Sequence, residues 1–287
     1  MAGTVSKPLK QGLGLALLVF CTILALSAMG IIIWDILLKG VPAFSLEFLF
    51  TYPKQGMTQG GIFPAIVGTT MVTLITAVFA VPLGIAGGIY LNEYAKNNWL
   101  TKLIRVSIRN LAGVPSIVYG LFGLALFVQA FRMGTSLLAS GLTLGLMSLP
   151  YIITATEEAL KTVPNEFKEG SIALGATQWE TIYRIILPAA APGIITGIIL
   201  ALARAAGETA PILFTGVFFY QRYLPASIFD EFMALPYHLF ILSTQHHDIA
   251  GVRPLAYATA LVLLILVFSL NLIAFYLRGR YRRKLQG

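Results

Sequence analysis

Arg204 and Glu208 stand four residues apart within "LARAAGETAPILF", residues 202–214, a stretch otherwise uncharged. On a helix that spacing puts both side chains on one face. An arginine at the centre of a membrane costs about 2.5–3.5 kcal/mol on insertion scales, so the pair must face other helices or a water-filled path. Arginine before glutamate is also the weaker order for stapling a helix. Pro211 adds strain, because it leaves the Gly207 carbonyl unbonded and disfavours helical geometry at Ala210. The guanidinium is a planar fork that meets a tetrahedral oxyanion at two points and stays charged. Two readings remain open. Either Arg204 attracts an anion that Glu208 orients and keeps from binding too tightly, or the two form a permanent ion pair locking helices together.

The elements that must position this pair follow from composition. Of 287 residues, 57% are hydrophobic and 11% charged, and the mean hydropathy is +0.81. Soluble domains carry about 25% charged residues, so this is an all-α, polytopic membrane protein. A hydrocarbon core about 30 Å thick needs about 20 helical residues. Six runs of that order occur, at 13–38, 63–92, 110–131, 135–156, 189–217 and 254–277. The first is too long for the apolar region of a signal peptide, about 7–15 residues, and is read as a retained helix. If the hydrocarbon portion of the fifth begins near Pro192, Arg204 lies roughly 18 Å in, at 1.5 Å per residue.

Net charge is +8 and pI about 9.6. The basic residues are asymmetric, which sets orientation rather than nucleic-acid binding. With the N-terminus inside, fourteen lysines and arginines fall on cytoplasmic segments and five on external ones. Both termini are therefore expected in the cytoplasm. Gly84/Gly88, Gly141/Gly145, Gly193/Gly197 and Ala201/Ala205 give small residues four apart, suited to close helix packing. Pro82 and Pro115 are expected to kink their helices. Cys21, the single cysteine, reads as a buried hydrophobe, and one cysteine excludes an intrachain disulfide. His238, His246 and His247 read as surface histidines, with no metal site.

Between the fourth and fifth runs lies "TVPNEFKEGSIALGATQWETIYRIILP", residues 162–188. Pro164 suits the first turn of a helix, which runs to Leu174 and stops at Gly175. Thr177 and Glu180 have capping-box spacing and open a second helix expected to continue until Pro188. The product is two helices joined at a glycine, with Phe167, Ile172, Ala173, Trp179 and Ile182 offering apolar surface for docking. The series Glu169-Gly170-Ser171, three residues, Gly175, nine residues, Ile185, one residue, Leu187-Pro188 resembles the EAA loop of ABC importer permeases. It departs from that pattern at Gly170 and Ser171, which stand where alanines are usual. "RAAGETAP" at 204–211, "AGVPSIVYGLFG" at 112–123, "GGIFPAIVGT" at 60–69 and "FMALPYHLF" at 232–240 narrow the likeness. Over nearly the whole chain from Gly60 onward it resembles the PstA-type permeases of phosphate ABC importers, within the MetI-like superfamily.

The resemblance implies a five-helix MetI-like core plus an N-terminal helix. Residues 1–60 would hold that helix and the first external loop, 61–278 the permease core, and 279–287 a basic cytoplasmic tail. The loop would carry a cytoplasmic coupling helix seated in an ATP-hydrolysing subunit, with Glu169, Gly170, Ser171, Gly175, Ile185, Leu187 and Pro188 as coupling residues and Arg204 and Glu208 on the substrate path. The implied partners are a second, PstC-type permease, two PstB-type ATPase subunits, a PstS-type extracytoplasmic phosphate-binding protein and membrane lipid. Tyr220, Tyr223, Phe229, Phe232 and Tyr237 of the external segment 218–253 would help receive the binding protein. The setting implied is a bacterial plasma (inner) membrane. The chain has no G-x-x-x-x-G-K-[ST] phosphate loop. It is read as non-catalytic and cofactor-free, with ATP and magnesium held by the partner ATPase. A permease for another oxyanion, a membrane scaffold or sensor, and an independent channel are the alternatives, to be told apart by solute flux and its dependence on ATP.

Overall fold

The computed structural model describes residues 7–286. Positions 1–6 and 287, which belong to the expected N-terminal segment and basic tail, lie outside the described residues, as do the side chains of 7–10, 13 and 281–286. The described chain is mostly helical; its β structure is a two-residue hairpin pairing Pro53–Lys54 with Gln59–Gly60 and an isolated bridge between Val217 and Phe232. Among the described residues five helices are long and apolar enough to cross a membrane, and a bent pair makes a sixth if it is counted as one span.

Helix α1 (Lys7–Gly40) is exposed along most of its described length. At its C-terminal end Asp35 pairs with Lys39 and accepts a 2.9 Å hydrogen bond from Tyr257 of α12 (Ile249–Gln286). Cys21 is exposed on this helix, which corrects its reading as a buried residue. Around Cys21 the helix is apolar and exposed among the described residues, as suits a lipid-facing segment. A short helix, α2 (Leu46–Phe50), follows, capped by Ser45.

The bundle is built on α3 (Phe63–Ile89), α6 (Leu137–Lys161) and α9 (Leu187–Gly207). Small residues set their approach. A Cβ on Gly88 of α3 would lie 2.6 Å from the Thr156 Cβ of α6, and one on Gly193 of α9 would lie 2.7 Å from the Ala159 Cβ. Gly84, Gly141, Gly145 and Gly197 meet Ile152, Ile75, Phe79 and Ala155 with similar intimacy. The glycine pairs legible in the sequence are thus the contact seams between the central helices. Pro82 lies inside α3, which continues through it.

The third span departs from expectation. The run expected at 110–131 is realised as α5 (Ser116–Gly123), extended by a π-helical turn, Leu124–Ala130, and is preceded by a separate helix, α4 (Trp99–Leu111). The two arms meet at 100°. Pro115 is extended (ψ 137°) at the joint, so the break is a corner rather than a kink. Lys102, Arg105 and Arg109 make α4 amphipathic, and it cannot follow α5 into hydrocarbon without burying that charge. The segment 218–253, expected to be external, also holds structure, the ten-residue helix α11 (Leu235–Thr244).

Candidate functional site

Arg204 sits in the last turn of α9, where the helix dipole and unbonded carbonyls favour a cation. The helix ends at Gly207, and Glu208 is extended (φ −76°, ψ 134°). The break therefore falls two residues before Ala210. Pro211 is accommodated in the first turn of a new short helix, α10 (Ala210–Leu213), where its missing N–H costs nothing. Arg204 Nε lies 3.3 Å from Glu208 Oε1, and the two side chains are 50% and 18% exposed. Arg204 Nη1 also donates to the Tyr151 hydroxyl at 2.7 Å, and the guanidinium carbon stands 4.6 Å from the centre of that ring. The Tyr151 hydroxyl in turn donates to the Ala112 carbonyl at 2.7 Å. One chain of bonds thus joins α9, α6 and the corner between α4 and α5. Nε and Nη1 of Arg204 are engaged, and its side chain as a whole is half exposed.

The loop at the far end of the same helix is α7 (Asn165–Ala173), a glycine turn and α8 (Gln178–Thr181). Gly175 has φ +89°; its N–H donates to the Ile172 carbonyl, and that of Ala176 donates to the Ser171 carbonyl. This is a Schellman stop, the reason glycine is needed. Thr177 and Glu180 form both bonds of the capping box. Pro188 does not end the second helix, which corrects that expectation. A π turn, Ile182–Ile186, carries α8 without interruption into α9, because an extra residue per turn absorbs the donor that proline lacks. Glu169, Gly170, Gly175, Ile185 and Pro188 are exposed, whereas Ser171 and Leu187 are partly covered. Ser171 exchanges a 2.9 Å hydrogen bond with Thr181, joining the two arms. Leu174 is 91% exposed, and Phe167, Ile172 and Trp179 are exposed beside it.

The two groups of residues are not brought together. Glu180 and Arg204 are separated by roughly 36 Å of helix at 1.5 Å per residue. They lie at the two ends of one continuous helical stretch.

Sequence reasoning missed several residues around both ends. Tyr151 carried no signal, since a tyrosine in an apolar run reads as core. Near the loop, Lys168 Nζ lies 2.7 Å from Glu93 Oε2, and Glu157 meets Arg105 at 2.9 Å and Lys161 at 3.0 Å. Acidic residues at the ends of apolar runs, opposite the loop's lysines, were the available clue. His238 and His246 are buried, not on the surface; the His246 ring lies 2.8 Å from the Gly56 carbonyl. Burial lowers the His238 pKa to about 4. Among the described residues no group of three or more His, Cys, Asp or Glu could hold a metal ion. Of the aromatics expected to receive a binding protein, Tyr223 and Phe229 are exposed, but Phe232 is fully buried against Gly68 of α3.

Residues 80–283 match the family described as binding-protein-dependent transport system inner membrane component, and the chain belongs to that family. It is 35% identical over 261 residues to a probable ABC transporter permease protein, YqgI, of Bacillus subtilis, covering 87% of this chain and 88% of that protein. It is 33% identical over 280 residues to the phosphate transport system permease protein PstA 1 of Mycobacterium tuberculosis, covering 96% and 90%. Among solved structures it resembles a chain of the MetNI methionine ABC transporter in an inward-facing conformation, with TM-score 0.62, 17% identity and coverage of 77% and 97%. A chain of a bacterial alginate ABC transporter, solved with a pentasaccharide-bound periplasmic protein, gives TM-score 0.66 at 14% identity, covering 94% and 95%. These two likenesses concern the fold. The protein is an ABC transporter permease, a multi-span membrane component.

Proposed function

We propose that this permease imports inorganic phosphate, driven by ATP hydrolysed on partner subunits. The observation that carries the reading is Arg204: a half-exposed guanidinium fork in the last turn of α9, beside the break in that helix. Such a fork suits a tetrahedral oxyanion. The PstA names borne by relatives of similar length support phosphate in particular. Glu208 and Tyr151 would hold the fork in place between turnovers. The anion would compete with Glu208 for it, which keeps binding weak enough for release. The partners would be a PstC-type permease, paired PstB-type ATPases carrying ATP and magnesium, and a PstS-type binding protein. The chain itself would perform no catalysis. Glu169, Gly170, Ser171, Gly175, Ile185, Leu187 and Pro188 would form the seat for the ATPase, in a bacterial inner membrane with both termini cytoplasmic.

A second reading is favoured by the 3.3 Å approach of Arg204 to Glu208: the pair is a lock between helices and never touches cargo. Vesicles containing the chain and its partner subunits test the function directly. Labelled phosphate should accumulate only with ATP, and excess sulfate or molybdate should compete poorly. Assembly with ATP hydrolysis but no phosphate flux would overturn the reading.

A further inference from the structure

The inner side of the loop is as specific as its outer side. The π turn Tyr90–Tyr94 ends α3 and contains Glu93, whose side chain is only 4% exposed. Three groups converge on that residue. Lys168 of α7 pairs with Oε2 at 2.7 Å, Asn92 donates to Oε1 at 2.7 Å, and Gln178 of α8 donates to the backbone carbonyl at 2.9 Å. A cavity of about 320 Å³ adjoins the start of α7, lined by Asn92, Glu93, Lys161, Asn165 and Lys168 among others, so both members of the Lys168–Glu93 pair stand on its wall. A buried carboxylate that loses its one cation is left uncompensated, which costs far more than breaking a surface pair. The clasp therefore resists opening.

We infer that Glu93 is the anchor by which the loop moves the transmembrane bundle: Lys168 and Gln178 fasten both arms of the loop to the end of α3, so that loop and helix travel as one body. The route onward is packing. α3 meets α6 at Gly84 against Ile152 and Gly88 against Thr156, and Ile152 adjoins Tyr151, which holds Arg204. Side-chain contacts of this kind carry force in discrete steps. Glu93 and Lys168 are positioning residues and need touch neither ATP nor cargo.

The inference rests on the loop being the seat of the ATPase, and its test separates the two. In a Cys21→Ser background, spin labels at Asn97→Cys and Asn165→Cys report the distance from the end of α3 to α7 in the complex assembled with its partner subunits in lipid nanodiscs. Adding ATP without solute should leave that separation unchanged in the parent and shift or broaden it in Glu93→Gln. In vesicles, Glu93→Gln should lower phosphate uptake per ATP hydrolysed by about fivefold or more, the scale of inter-site coupling. Glu93→Lys combined with Lys168→Glu should recover much of the loss. A loop that moves relative to α3 in the parent overturns the inference even if the variants do not fold. So does an unchanged uptake-to-hydrolysis ratio in Glu93→Gln. Because the spin-label readout needs no solute, it stands whether or not phosphate is the cargo.

Discussion

At the scale of single residues, the donors of Arg204 are partly committed, Nε toward Glu208 and Nη1 to Tyr151. Lysine at this position would keep the charge but could reach only one of those partners, and would meet an oxyanion at one point. Loss of a charge-assisted hydrogen bond removes about 1.5–3 kcal/mol. Arg204→Lys should therefore raise the phosphate KM about tenfold or more while complex assembly is unchanged. Full uptake by that variant would leave only the helix-locking role. His238 supports a separate expectation. It is buried on α11, outside the spans, with Nδ1 unpartnered among the described residues. Its pKa is held at about 4 against about 6.5 for a free histidine. The unfolded chain thus takes up a proton below about pH 6.5 that the folded chain refuses until about 4. Stability is complete above that window and falls as pH drops through it, by about 3 kcal/mol in all. Melting curves in detergent from pH 7 to 4.5 should show this decline, and His238→Gln should flatten it.

At the scale of elements, the parts legible in the sequence were those fixed locally. The glycine stop and the capping box are written within a few residues of each other, and both formed. The glycine seams were legible because lipid leaves close packing as the main force between helices. The corner at Ala112–Pro115 was not, because a search for runs of about 20 apolar residues passes over an amphipathic thirteen-residue arm. Pro188 misled for a related reason: a π turn accommodates it, and tertiary packing of Ile182 and Ile186 in the core holds that turn. Tyr151 lies 53 residues from Arg204, beyond the reach of any spacing argument. The glycine stop can be tested by itself. Nothing lies within 4 Å of a Cβ at Gly175, so space is not limiting there and the positive φ is the whole constraint. Asparagine tolerates that region and a β-branched residue does not. Gly175→Asn should transport nearly as the parent does. Gly175→Val should insert and assemble but lose coupling between ATP hydrolysis and uptake. Equal transport by both variants would show that the angle between α7 and α8 is not what matters.

At the scale of the whole molecule, orientation decides whether the loop can meet an ATPase at all. The basic residues argue for it: Lys96, Lys102, Arg105, Arg109, Lys161, Lys168 and Arg184 crowd the end of the bundle where α7 lies, while the opposite end carries few. Lysine and arginine near short loops are retained on the cytoplasmic side during insertion. A reversed protein would present the Lys168–Glu93 clasp and the exposed Leu174 to the exterior, where no ATP is available. Two exposed positions report the two faces, Leu174 on the loop and Tyr223 in the external segment. With Cys21→Ser removing the native thiol, a cysteine at Tyr223 should react with a membrane-impermeant maleimide in intact cells. A cysteine at Leu174 should react only after the membrane is opened, and more slowly once the ATPase is bound, since docking would cover it. Labelling of Leu174→Cys in intact cells would invert the topology and remove the physical basis for coupling through this loop, whatever the solute.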